Sequence, residues 1–428
     1  MGGEGLLAEY TVLDVTEGAS GPFATKLFAD FGARVIKVER PGRGDPSRRV
    51  GPYVADTAAM DGLDKITNPR AATGGHEPEQ RDEPRRAAPR RVRDAGALFL
   101  YLNTGKESVT LDLSTATGRL MLLELVEHAD ALVESHAPGG LDALGLGREA
   151  LHGRNPRLVV TSVSAFGQSG PYAGYRGTDL TAYAAGGQMS MTGEAEREPV
   201  MPAGHQGAYQ TGMHAFGATL AGLFSVGVLE VGQQIDIATM ECIASTLELY
   251  LGDYVYFGRD ILTKRRGNVV SNTIGLFPCA DGWVGIHAMP RNFASLAKAM
   301  ESEWMLEDEK FRDQRARLMN NDEMLALVYG WAATKTRAEV YAAAGEHRTT
   351  MAPILSIGEA MANEHFVARA SFRELDGITY PGPPFRTGEG EWELRPAPRL
   401  GEHNTDVYGE MLGLSNGQLA TLRSAGVI

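Results

Sequence analysis

The chain begins with a repeating alternation of short apolar runs and glycine-marked turns. TVLDV is an apolar run of strand length, followed by the turn TEGASG, the helical stretch PFATKLFADFG and a second apolar run, ARVIKVE. Pro22 suits a first helical turn and Gly32 a helix C-cap. Strand, glycine-containing turn, helix and strand make a βαβ unit, which predicts a parallel sheet. SVTLDL, a helix from Ala116 to His128, ADALVES and LVVTSVSAF continue the pattern. The N-terminal half is therefore expected to be α/β and Rossmann-like.

The pattern changes twice. Between residues 55 and 96 the chain turns rich in Pro, Arg, Glu and Ala and poor in apolar residues, which reads as a flexible surface insertion. A basic flap over an anionic ligand is the functional alternative. From Gly212 the periodicity predicts long helices, to about Val231 and then from Ala238 to Phe257. LFPCADGWVGIHA reads as a hairpin turning at Asp281-Gly282, with helices from Asn292 to about Glu346 beyond it. The predicted organisation is a large domain over 1–210, linker helices and a smaller α+β domain over 211–385, and a segment over 386–428 that returns to the large domain.

Composition narrows the function classes. A chain of 428 residues is expected to hold two domains. The net charge of −13 argues against nucleic acid or an anionic membrane as the main partner. Two cysteines far apart, Cys242 and Cys279, supply neither a disulfide framework nor a CxxC metal motif, which fits a reducing cytoplasm. No cluster with zinc spacing is present, so no metal is expected. The first residues lack the basic and apolar regions of a signal peptide. Ala215–Val231 is apolar but short for a membrane span, and its small residues predict a buried helix. The turn GASG lacks the full dinucleotide fingerprint, although Glu39 ends the second strand where a ribose-binding acid would stand.

Several stretches together resemble the family III CoA-transferases, the superfamily of formyl-CoA transferase, carnitine CoA-transferase and α-methylacyl-CoA racemase. They are VLDVTEGASGPFATKLFADFGARVIKVERPGRGDPSR, NTGKESVTLDL, FGQSGPYAGYRGTDLTAYAAGG, the Gly-Met-His helix, GQQIDIATMECI, FPCADGWV and LGEHNTDVYGEMLGL, in the family's order over nearly the whole chain. The resemblance implies an α/β fold with a large Rossmann-like domain and a smaller domain, two copies being interlocked as a homodimer. It implies coenzyme A and acyl-CoA as substrate rather than a resident cofactor, with a small carboxylic acid as acceptor. Arg40 matches a position that holds a CoA phosphate, a role its two-donor guanidinium suits. Leu111 matches an apolar contact near the adenine. Where many members carry Asn-Phe before Pro-Gly, this chain has Ser135 and His136, so the CoA pocket is expected to be altered.

The resemblance also poses a chemical problem. Family transferases use an aspartate as nucleophile and leaving group, through a mixed anhydride and an enzyme thioester. Aligning on Gly212-Met213-His214 puts that position at Ala208, which can do neither. Racemases of the family use a GHD motif; here it reads Gly177-Thr178-Asp179, and threonine is no base near neutral pH. Asp179, His205 and Tyr209 remain as candidates. Asp179 stands as an alternative carboxylate or a helix cap, His205 as a general base or a backbone-bonding loop residue, and Tyr209 as a carbonyl-orienting hydroxyl or a packing residue. Four readings stay open: a transferase that works without the standard aspartate, a non-catalytic CoA-binding subunit of a hetero-oligomer with an active partner chain, an atypical racemase or lyase, and an engineered alanine.

Overall fold

The computed structural model describes residues 5–53, 95–194, 196–259, 269–386, 388 and 392–428. Most of the predicted insertion over 55–96 lies outside the described residues. The chain divides into two compact units, one of Met1–Gln188, Pro202–Leu247 and Ala368–Ile428, the other of Met189–Met201 and Glu248–Val367.

The first unit is built on a parallel sheet of strands β1 (Thr11–Val15), β2 (Arg34–Glu39), β3 (Glu107–Thr110), β4 (Ala131–Glu134), β5 (Val159–Ser164) and β6 (Gln234–Ala238). Their order is β3-β2-β1-β4-β5-β6, all parallel. This is the doubly wound order, whose direction of winding reverses between β1 and β4. The strands read as apolar runs because both faces are covered. Alternate residues divide between two cores. Val12, Val35, Ala131, Val133 and Val159 pack under helices α1 (Ser20–Asp30) and α5 (Gln206–Leu229). Leu13, Ile36, Leu132 and Val160 pack with α2 (Ala116–Val126), α3 (Arg148–Arg154) and the C-terminal helices α11 (Asn404–Leu412) and α12 (Asn416–Ser424). Each fully buried Leu, Ile or Val contributes about 1.5–3 kcal/mol. The C-terminal segment closes on β3, where the Asn404 side chain accepts the Thr110 N–H at 2.8 Å and Val427 and Ile428 enter the core.

Helix α5 begins earlier than the pattern suggested. No helix breaker separates Gln206 from Gly212, and the Thr211 hydroxyl donates back to the Gly207 carbonyl. Ala208 and Tyr209 therefore lie on its first turns, with His205 at the N-cap. Because α5 packs on α1, β5 and β6, it belongs to the first unit rather than to one beginning at 211. At Gly212 a Cβ would come 2.7 Å from the Ser20 carbonyl oxygen, so glycine permits the close approach to α1. The expectation of a buried helix holds for one face only: Phe224 is 78% and Val228 72% exposed in the single chain.

The predicted helix 238–257 is two helices, α6 (Thr239–Ala244) and α7 (Glu248–Phe257). Ser245 and Thr246 turn their hydroxyls back onto the Cys242 and Ile243 carbonyls, offering the backbone an alternative to continuing. In the second unit, β8 (Ile274–Cys279) and β9 (Gly282–His287) form the expected hairpin, closed at Cys279 opposite Gly282. They sit in an antiparallel sheet with β7 (Val269–Ser271) and β10 (Met351–Pro353). Helices α8 (Phe293–Ala299), α9 (Asn321–Ala333) and α10 (Arg337–Glu346) cover the sheet around Phe277, Val284 and Val328.

Candidate functional site

Two cavities lie along the C-terminal ends of the first unit's strands, at the point where the winding reverses. The outer cleft, about 420 Å³, is bordered by Arg40 after β2, Leu111 after β3, and Ser135 and His136 after β4. All four residues singled out for CoA thus share one cleft. Leu111 is buried and Arg40 exposed, and among the described residues no carboxylate pairs with the Arg40 guanidinium. The Ser135 hydroxyl accepts the Glu17 N–H at 2.9 Å. The His136 ring lies 3.2 Å from Glu134 Oε2, which also accepts the His136 N–H. Glu39 is not free for a ribose: it is buried and held by Arg48 at 2.6 Å, with Ser108 and the Asp45 N–H on the same carboxylate. Arg48 in turn lies 3.6 Å over the Phe99 ring.

The inner cavity, about 470 Å³, is bordered by the turn from Glu17 to Gly21, by Asp179, His205 and Ala208, and by small hydroxyl residues including Ser47, Ser164 and Thr239. Glu17 and Ser135 border both cavities. The two cavities are therefore neighbours.

Ala208 reaches the inner cavity from the first turns of α5 and is 5% exposed. Asp179 begins helix α4 (Asp179–Ala185), whose N-cap Thr178 forms a capping box with Thr181. The capping of that helix is thus done by Thr178, and the Asp179 carboxylate is turned elsewhere. Both its oxygens are buried and face the N–H groups of Gly207 and Ala208. The approach is tight, since a Cβ on Gly207 would lie 2.5 Å from Asp179 Oδ1. Burial raises the Asp179 pKa, against the opposing pull of the Ala208 N–H, His205 and the Gly207 N–H. Tyr209 is not brought to the cavity. Its ring packs edge-on to Phe23 at 4.8 Å and to Tyr101 at 6.3 Å, and burial raises its pKa. Cys242 borders neither cavity, and burial pushes its thiol up to about 11.

Beneath the Glu17 turn lies a charge network that the motif reading missed. Lys106 Nζ, fully buried, meets Asp14 Oδ2 and Thr25 Oγ1 at 2.8 Å and Asn103 Oδ1 and the Pro22 carbonyl at 2.9 Å. Lys37 Nζ donates to the Thr16 carbonyl at 2.9 Å and pairs with Asp45 at 2.9 Å. Asp14 accepts the Thr16 N–H and hydroxyl, and Asp45 accepts the Gly18 N–H at 3.3 Å. Burial opposes ionisation of Asp14, but Lys106 and Lys37 outweigh it and hold the carboxyl well below the usual range. Burial lowers Lys106 to about 8 despite Asp14. Gly18, at φ +84°, takes a backbone shape this turn requires. The available signal was a charged residue inside each apolar strand, Asp14 in TVLDV and Lys37 in RVIKVE.

Fold and cavities together define a doubly wound α/β protein with two neighbouring cavities at its topological switch point. The CoA-transferase family III profile matches residues 7–65 and 76–404. The chain belongs to that family. It is 32% identical to the succinyl-CoA:(R)-benzylsuccinate CoA-transferase subunit BbsE of Thauera aromatica, over 94% of this chain and 93% of that one. It is 30% identical to the succinyl-CoA–L-malate CoA-transferase alpha subunit of Chloroflexus aurantiacus, over 99% and 92%. Among solved structures, a CAIB/BAIF family protein from Brucella suis superposes with a TM-score of 0.78 at 27% identity, covering 95% of this chain and all of that one.

Proposed function

We propose that this chain is the acyl-CoA-binding subunit of a two-chain cytoplasmic CoA-transferase, whose nucleophilic carboxylate resides on a partner chain. The observation that carries this reading is Ala208, a methyl group bordering the inner cavity where family transferases place aspartate. The neighbouring carboxylate does not substitute for it: Asp179 keeps both oxygens buried against the head of α5. Two relatives of nearly full coverage are themselves described as subunits. In this reading Arg40 meets a CoA phosphate, Leu111 lies under the adenine, Ser135 and His136 line the passage, and the thioester enters the inner cavity. The outward face of α5, with Phe224 and Val228, is where a second chain of the same fold packs. A homodimer that exchanges CoA through another residue is the alternative; it predicts turnover by this chain alone.

The test is thioester exchange read by mass spectrometry, with a panel of acyl-CoAs and carboxylic acids, alongside calorimetric binding of CoA. The unmodified chain is expected to bind CoA without exchange or hydroxylamine-sensitive adduct, and Ala208→Asp to gain both. Exchange by the unmodified chain overturns the proposal.

A further inference from the structure

The small hydroxyls that border the inner cavity differ in what each has left to give. A hydroxyl carries one hydrogen to donate and two lone pairs to accept with. Ser47 gives its hydrogen to Asp45 Oδ1 at 2.6 Å, and Thr239 gives its own to the Ser164 carbonyl at 3.2 Å. Thr178 is committed to the cap of α4, where it faces the Thr181 N–H and hydroxyl. Ser135 and Ser164 are bound the other way round. The Ser135 oxygen accepts the Glu17 N–H at 2.9 Å, and the Ser164 oxygen accepts the Gly167 N–H, also at 2.9 Å. Each oxygen is thereby fixed by a backbone donor and still carries a hydrogen to give. Both residues border the inner cavity, and Ser135 borders the outer cleft as well.

The strand order brings these two residues together. β4 and β5 are parallel neighbours, with Glu134 opposite Ser162. Ser135 follows the last residue of β4 and Ser164 is the last of β5. They therefore stand at one edge of the sheet, on strands whose axes lie about 4.8 Å apart.

We infer that Ser135 and Ser164 donate their hydroxyl hydrogens to the carbonyl oxygen of the acyl-CoA thioester. A carbonyl oxygen has two lone pairs and takes two such donors. Ser135, bordering both cavities, meets it from the CoA side, and Ser164 meets it from the inner side. Every acyl-CoA carries this oxygen, whether its chain ends in a methyl group or a second carboxylate. The pair therefore fixes where the thioester stops and leaves the chain to the rest of the cavity. The inference rests on the CoA-binding reading above, and its test separates the two.

The experiment compares butyryl-CoA with its thioether analogue S-butyl-CoA, in which a methylene replaces the carbonyl, and with free CoA. Binding is measured by calorimetry on the purified full chain. Free CoA is expected to bind. Butyryl-CoA should bind roughly thirtyfold more tightly than the thioether, the effect of two ordinary hydrogen bonds. Ser135→Ala and Ser164→Ala should each narrow that ratio by about fivefold. The ratio is internal to each variant, so a loosened Glu17 turn in Ser135→Ala weakens both ligands and leaves it in place. With carbon-13 at the carbonyl, infrared difference spectra should show its stretch lowered on binding and partly returned in each alanine variant. Equal affinities for thioester and thioether in the unmodified chain overturn the inference while leaving CoA binding intact. A ratio or a stretch that neither variant moves overturns it too, and movement by one variant alone overturns the pairing. If free CoA fails to bind, the CoA-binding reading falls and this inference falls with it.

Discussion

Replacing Lys106 by Met tests whether the buried charge network holds the turn between the two cavities. The Lys106–Asp14 contact of 2.8 Å corresponds to about 6 kcal/mol of gross attraction at an effective dielectric of ~20. Burial of both groups offsets much of that. In the variant Asp14 retains Lys37, 3.7 Å away, but Lys37 is shared with Asp45 and the cluster is left with one uncompensated negative charge. Breaking a buried pair by removing one partner costs roughly 3–5 kcal/mol, and the remaining lysine places this case near about 3. Because the chain has two units, a single unfolding midpoint is the wrong readout. Hydrogen exchange of the β1, β2 and β3 amides, with urea titration beside it, localises the loss. Adding Asp14→Asn should recover about 1–2 kcal/mol, since the orphaned charge is then gone. A loss below about 1 kcal/mol, or one spread evenly over both units, refutes the account of this network.

Other outcomes follow from the same geometry. Arg40→Ala should weaken CoA binding about tenfold or more and flatten its salt dependence, as measured by calorimetry at two ionic strengths. Gly207→Ala places a Cβ 2.5 Å from Asp179 Oδ1 and should cost about 1–3 kcal/mol in denaturant unfolding, with Asp179→Ala restoring most of it. Asp14 has a folded-state pKa held below its unfolded value by its lysines, against burial, so its stabilisation is present above about pH 4 and fades as the pH falls further. Stability of the first unit, read by urea titration with exchange of its β1 amides, should therefore fall more steeply on the acid side for the unmodified chain than for Asp14→Asn.

Much of the large unit was legible because its strands are buried on both faces, and such strands leave apolar runs that local pattern reading finds. The hairpin was legible from its Asp-Gly pair, but its turn residues are Ala280 and Asp281, one position earlier than expected, with Gly282 already paired in β9. The limits of α5 and α6 were not. Whether Ser245 and Thr246 continue a helix depends on which carbonyls their hydroxyls reach, and that is settled by packing. That the second unit joins Met189–Met201 to the chain from Glu248 is likewise a property of contacts among distant segments. Arg40, Leu111, Ser135 and His136 were picked out by the family resemblance, and their sharing of one cleft follows from the strand order. Glu17 carried no signal, because nothing in TEGASG says that its first acidic residue will stand between two cavities. Tyr209 was attractive for its place beside Ala208. One helical step nevertheless rotates it by about a quarter-turn, away from the cavity and onto Phe23.

The neighbourhood of Ala208 also dictates how a restored carboxylate should behave. The first turn of α5 carries no acidic residue of its own, and its N-cap His205 makes no side-chain cap. Asp179 is the negative group that faces its first N–H groups, and it does so with its pKa already raised by burial. An aspartate at 208 would enter the same cavity as this carboxylate, and two carboxylates in one partly dry site cannot both ionise at their ordinary pKa. Thioester exchange by Ala208→Asp should then rise with pH through a value above that of an exposed aspartate, as the nucleophile loses its proton against its neighbour. Asp179→Asn in that background removes the like charge and should move the rising limb toward acid. If exchange by Ala208→Asp is independent of pH from 4 to 8, or if Asp179→Asn leaves the limb in place, the two positions do not share one electrostatic site. Asp179 would then serve only to complement the end of the helix.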